Sequence, residues 1–235
     1  MSKFIIVLVA GGKCSGKREI SNQIKAELIN TKNLDNRQRQ LKVEILNFDE
    51  YIKDDSVVLY GPERYDFQKL INDLKTYAQS NSDSENQDLV LVIHGQYTLY
   101  NAELRQLSTL KFFIDCDPDT RLNRWLLRDV VLAKADDDKF RSIIDTYLNH
   151  SRIEFNEFIL KTRNIADLIL QNDDNKSDKL IHPNIITLIC DGILPMLSQK
   201  LYINKDMIYH RNNSSVFNFQ SEQLNDERDR FYDLS

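Results

Sequence analysis

Short apolar runs recur along the chain at Phe4–Ala10, Val43–Leu46, Leu89–Ile93, Phe112–Ile114 and Leu168–Leu170. They are too short for helices and are bounded by polar or glycine residues, which predicts strands buried on both faces. Between them, apolar residues fall at helical spacing over Lys17–Ile29, Glu63–Tyr77, Ala102–Leu107, Thr120–Leu132 and Asp138–Lys161. Alternation of strand and helix predicts an α/β fold, a parallel sheet with helices on both faces. Asn184–Leu201 reads as a last helix, interrupted near Pro195. Thr31–Gln40 reads as a polar surface insertion, Gln79–Asp88 as a flexible connection and Gln171–Lys179 as a polar linker. From Asn204 to Ser235 the chain is polar and aperiodic, which predicts one domain over 1–203 and a largely disordered tail over 204–235.

The first strand runs into Gly11-Gly12-Lys13-Cys14-Ser15-Gly16-Lys17-Arg18, and a helix is predicted from Lys17 onward. Gly11, Gly16 and Lys17 match G-x-x-x-x-G-K-[ST], a phosphate-binding loop in its required strand-to-helix context. Glycines there let backbone N–H groups converge on phosphate oxygens at the positive end of the helix, and Lys17 adds a point charge. Gly11, Gly12, Lys13, Cys14, Ser15, Gly16, Lys17 and Arg18 are therefore the candidate nucleotide-binding residues. The plain alternative is a glycine-rich turn of the kind many α/β folds carry. The motif's last position should hold a hydroxyl that ligates Mg²⁺, and here it is Arg18. A guanidinium only donates hydrogen bonds. At about 4 Å and an effective dielectric of about 20 it would repel a unit positive charge by roughly 4 kcal/mol.

Composition narrows the partners. A net charge of −5 over 235 residues argues against non-specific nucleic-acid binding and against attraction to acidic membranes. The amino-terminal apolar run is too short for a signal peptide or a membrane span. Cys14, Cys116 and Cys190 are scattered without metal-ligand spacing, which predicts reduced thiols and a cytoplasmic or nuclear protein.

Further segments carry a resemblance. Asn47-Phe48-Asp49-Glu50-Tyr51 resembles the D-x-[FY] segment of uridine–cytidine kinases. The stretch from Asp115 to Asp129, including Asp119-Thr120-Arg121-Leu122-Asn123-Arg124 and Arg128-Asp129, resembles that family's D-x-D-x-D-T-R-L-x-R-R-x-x-R-D. Phe155, Glu157-Phe158, Thr162 and Ala166-Asp167 keep the same register. With the loop, these segments span roughly residues 3–200, and the chain is identified as resembling a divergent, fungal-type member of the uridine kinase family. The resemblance implies a P-loop kinase fold with a short helical lid. It implies ATP-dependent phosphorylation of uridine or cytidine at the 5′-hydroxyl, a step of pyrimidine salvage. By the same resemblance Asp49 is the base, and Arg121, Arg124 and Arg128 steady the transferred phosphoryl group. The three arginines recur at spacings that place them on one helix face. A solvated face paired with Asp117, Asp119 and Asp129 explains the same spacing.

Departures from the family pattern fall on the chemistry. Arg18 replaces the Mg²⁺ hydroxyl, which leaves no predicted metal ligand there. His94-Gly95 stands where the family has Glu-Gly. Leu59-Tyr60-Gly61-Pro62 stands for F-D-H-P. The interval Thr76–Asp88 is too short and polar for the family's base-clamping hairpin, and the lid over Val130–Asp138 holds only Lys134 among basic residues. Three readings stay open: a uridine kinase with weak or lost activity, a catalytically inactive nucleotide-binding protein that regulates or docks a protein partner, and phosphotransfer to another acceptor. A homo-oligomer is compatible with each.

Overall fold

The computed structural model describes residues 3–34, 40–53, 60–82, 87–173 and 183–198, and the expected tail over 204–235 lies outside them. Among the described residues the sheet is five-stranded and parallel, in the order β2-β3-β1-β4-β5. The strands are β1 (Phe4–Gly11), β2 (Gln40–Asn47), β3 (Gln87–His94), β4 (Leu110–Asp115) and β5 (Leu168–Gln171). The helices are α1 (Lys17–Leu34), α2 (Phe67–Ser82), α3 (Ala102–Leu107), α4 (Pro118–Leu126), α5 (Asp137–Thr146), α6 (Arg152–Glu154) and α7 (Pro183–Ser198).

Central β1 shows why the fold is layered. Successive side chains point to opposite faces of a strand. Ile5, Val7 and Val9 join Ile20, Ile24 and Leu28 of α1 and Ile189, Cys190 and Ile193 of α7 in one core. Ile6, Leu8 and Ala10 join Phe48, Leu70, Leu74, Phe113, Phe155 and Ile159 in the other. Each large aliphatic side chain fully buried this way contributes about 1.5–3 kcal/mol. All strand carboxyl ends consequently emerge on one edge, where ligands of open α/β sheets bind.

Tertiary contacts lengthen several elements beyond their apolar runs. The flexible connection expected at Gln79–Asp88 is corrected in part: Gln79–Ser82 completes α2, and Gln87 and Asp88 open β3. Both ends are tied to Lys3, whose carbonyl accepts from Asn81 Nδ2 (3.1 Å) and whose N–H donates to Asp88 Oδ1 (2.9 Å). Likewise Thr31–Leu34 continues α1 and Gln40 begins β2. Pro195 does not interrupt the last helix, which runs from Pro183 to Ser198. Ile193, Leu194 and Leu197 are packed into the core there, which outweighs the missing N–H of Pro195. The helical stretches expected over Thr120–Leu132 and Asp138–Lys161 form, but π turns interrupt them at Leu127–Val131, Tyr147–Ser151 and Phe155–Ile159. A π turn adds a residue to the turn and so rotates the residues after it onto a new face.

Candidate nucleotide-binding site

The loop between β1 and α1 is held in an unusual backbone path. Gly11, Cys14 and Gly16 have φ of +145°, +58° and +92°. A left-handed cysteine is uncommon. The turn is closed by Ser15 N–H donating to Gly12 O (3.2 Å). Gly11 has to lack a side chain, since a Cβ there would lie 2.6 Å from the carbonyl oxygen of Ile114 on the neighbouring strand. At Gly12 a Cβ would collide with the guanidinium of Arg121. From the other side, Asn172 Nδ2 donates to the carbonyl of Ser15 (2.7 Å), tying the end of β5 to the loop. The path leaves the first N–H groups of α1 at the mouth of the loop, an arrangement suited to phosphate.

Cations converge on this loop. Lys17 is half-buried as a residue, but its ammonium is enclosed by protein and donates to Gly12 O (2.7 Å). Burial pushes its pKa down to about 8, partly offset by the nearby charge of Asp49. Arg121 is 4% exposed; its Nε donates to Cys116 O (3.1 Å) and its guanidinium lies 3.9 Å over the Phe155 ring. Lys13 Nζ sits 3.4 Å over the Trp125 ring, and burial lowers its pKa. Arg128 pairs with Asp129 (2.5 Å), and its charge is felt at Lys13 and Cys14. Arg124 turns elsewhere, with Nη1 3.3 Å from Cys116 Sγ. Arg121 and Arg128 flank the loop, and Arg121 and Arg124 both reach Cys116 after the end of β4. At about 3.6 residues per turn Arg128 returns nearly in line with Arg121, and Arg124 falls to one side.

The Lys17 titration has a measurable consequence. The unfolded chain holds the Lys17 proton up to about pH 10.4, whereas the folded chain releases it near 8. Between those values the unfolded state binds more protons, so stability rises with pH across that window. Phosphate prefers the charged ammonium, so nucleotide affinity is expected to fall as pH rises through 8, with proton uptake on binding. Calorimetric titrations from pH 7 to 9.5 check this; a flat profile in the wild type would rule it out.

Beside the loop, register aligns Val9 of β1, His94 of β3 and Asn47 of β2. Asn47 caps a 3₁₀ turn over Phe48–Tyr51, its Oδ1 accepting from Asp49 N–H (3.2 Å). Asp49 is exposed, accepts from Tyr65 O–H (3.2 Å) and lies within electrostatic reach of Lys17. Phe48 is fully buried and packs so closely on Gly95 that a Cβ there would lie 2.5 Å from the Phe48 Cβ. His94 is 7% exposed; burial, with the Lys17 and Arg18 charges, pushes its pKa down. It is therefore a neutral imidazole at neutral pH.

A further wall has no counterpart in the sequence pattern. Tyr60 stacks on His150 with ring centroids 3.8 Å apart and planes 7° from parallel. Glu154 Oε1 accepts from Gly61 N–H (2.9 Å) and from Tyr97 O–H. Phe155, next in the chain, carries Arg121 on its ring. One helical stretch thus links the segment after Tyr60 to the phosphate loop. No local spacing signals pairs so distant in sequence. At the end of the Val130–Asp138 segment, Asp136 caps α5, its Oδ1 accepting from Lys139 N–H (3.0 Å).

Parallel sheet, strand order and phosphate loop together define a P-loop α/β protein of the nucleoside- and nucleotide-kinase type. A family model described as "Phosphoribulokinase / Uridine kinase family" matches residues 81–179. The uridine kinase of Staphylococcus haemolyticus is 30% identical over 72% of this chain and 88% of its own length. The Saccharomyces cerevisiae protein DAS2, whose name carries the words uridine kinase, is 26% identical over 99% of this chain and 97% of its own. Uridine-cytidine kinase 2-B of Danio rerio is 26% identical over 80% of each chain. The chain belongs to the uridine kinase family.

Proposed function

We propose that this chain is a uridine kinase-like protein that binds ATP through Gly11–Arg18 and in which transfer of phosphate to uridine or cytidine is weak or lost. One juxtaposition supports the reading. The phosphate loop keeps its backbone path and Lys17, while the positions around it carry a guanidinium at Arg18 and a neutral imidazole at His94. Binding groups persist where groups for chemistry have changed. Where phosphotransfer survives, Asp49 takes the acceptor proton on this reading, and Arg121, Arg124 and Arg128 supply the positive charge for the transferred phosphoryl group.

The acceptor side favours a second reading, phosphotransfer to a group other than a pyrimidine nucleoside. Only residues 83–86 separate α2 from β3, too few for a clamping hairpin. The Tyr60–His150 stack also leaves no gap between its rings for a base.

Purified protein assayed with ATP, Mg²⁺ and either nucleoside tests both. ATP at a hundred times its Kd is expected to stabilise the fold by about 2.7 kcal/mol, with little or no nucleoside monophosphate formed. Robust turnover that disappears in Asp49→Ala overturns the reading of eroded activity. Turnover of ATP that only a different acceptor stimulates selects the second reading.

A further inference from the structure

We infer that the loop holds a nucleoside triphosphate as the free anion, without a divalent cation, with the Arg18 guanidinium neutralising charge on the phosphates. The inference rests on nucleotide binding as proposed above and concerns how that charge is met.

P-loop kinases ordinarily use Mg²⁺, a hard cation that requires oxygen ligands in near-octahedral geometry. The residues here do not fit it. Arg18 offers no lone pair at the position following Lys17. Hydroxyls nearby do not substitute. Ser15 is fully buried, its Oγ packed beneath the loop 2.8 Å from where a Gly11 Cβ would lie. Ser21, one turn into α1, is fully buried too, and its Oγ donates to the carbonyl of Lys17 (2.9 Å).

Carboxylates are equally scarce. Asp115, at the end of β4, is paired with Arg163 Nε (2.9 Å). The β3 terminus brings His94, whose ring nitrogens suit softer metals than Mg²⁺. Asp49 and Glu19 remain, both exposed.

Cations around the loop are plentiful. Lys13, Lys17, Arg121 and Arg128 approach it from the loop itself, from α4 and from the π turn after α4. Arg18 projects from the first turn of α1, exposed, with its charge felt at His94. A guanidinium there can donate two parallel hydrogen bonds to phosphate oxygens, which a Lys cannot match and a Thr cannot attempt. It occupies the side of the phosphates on which the family's hydroxyl would hold the metal.

The test measures ATP binding to the full chain by calorimetry, once with EDTA and once with excess Mg²⁺. Wild-type Kd in EDTA is expected within about threefold of the Mg²⁺ value, against the roughly tenfold or larger gain a required metal would give. Arg18→Thr is expected to lose about tenfold in EDTA and to recover with Mg²⁺, a loss matching one charge-assisted hydrogen bond. Arg18→Lys is expected to fall between wild type and Arg18→Thr in EDTA, since it keeps the charge but not the paired hydrogen bonds. Because Arg18 is exposed, both variants should unfold near the wild-type temperature. Wild-type binding seen only with Mg²⁺ overturns this inference and leaves nucleotide binding intact. Absence of binding in both buffers overturns nucleotide binding itself, and this inference with it.

Discussion

Phe48→Ala is expected to lower the unfolding free energy by about 3–5 kcal/mol, the range for deleting a buried aromatic ring. The ring is 0% exposed and stacks on Tyr65 at 4.8 Å, with Tyr51 and Phe67 at 6.1 and 5.0 Å. It fills the space between the end of β3 and the turn that carries Asp49, with no room for Gly95 to shift inward and close the void. For a chain of this size each kcal/mol moves Tm by about 2–4 °C, so a drop of roughly 6–20 °C is expected by calorimetry. The loss is also expected to loosen Asp49, because Phe48 anchors the 3₁₀ turn directly before it. A change below about 1 kcal/mol would show that the surrounding aromatics repack and that the ring is not what fixes the turn.

Lys17→Ala is expected to weaken ATP binding about ten- to a hundredfold, equivalent to the 1.5–3 kcal/mol of a hydrogen bond to a charged group. The same substitution is expected to leave the nucleotide-free protein within about 1 kcal/mol of wild type. The reason lies in the lysine's position. Burial has pushed its pKa down to about 8, so the fold gains little from the charge until an anion arrives. Its bond to Gly12 O is an internal substitute that phosphate oxygens replace. Isothermal titration paired with thermal unfolding separates the two effects. Equal losses in affinity and stability would assign Lys17 to architecture and not to phosphate.

Much of this molecule can be read in one dimension. The strand cores lie at the apolar runs because a strand covered on both faces must be apolar at nearly every position, as β1 is from Ile5 to Ala10. The phosphate loop is legible for a similar reason. Gly11 and Gly16 are needed by their positive φ, a local property, so the requirement appears as residue identity. Element ends are less legible. Asn81 and Asp88 are polar and give no apolar signal, and their places in α2 and β3 are supported by Lys3 and by pairing with β2, from distant parts of the chain.

The arginines show what spacing leaves undecided. A regular helix puts Arg121, Arg124 and Arg128 on one broad face, with Arg121 and Arg128 nearly in line and Arg124 to one side. Cys116 then draws Arg124 aside, while Phe155 and Gly12 enclose Arg121. The Tyr60–His150 stack and the bonds of Glu154 to Gly61 and Tyr97 left no trace in any local pattern. They join residues far apart in sequence through contacts that any of several polar or aromatic side chains could make.

The sequence by itself determined the class of fold, the family and the phosphate loop, together with the substitution at Arg18 that sets this chain apart. Those features are encoded locally, by periodicity and by residues whose chemistry or lack of a side chain is irreplaceable. Only the tertiary structure decided which cations reach the loop, that Ser15 and Ser21 are buried beneath it, and that Tyr60 stacks on His150 while Glu154 ties Gly61 to Tyr97. These depend on burial and direction, which arise when distant segments pack and which no single segment specifies.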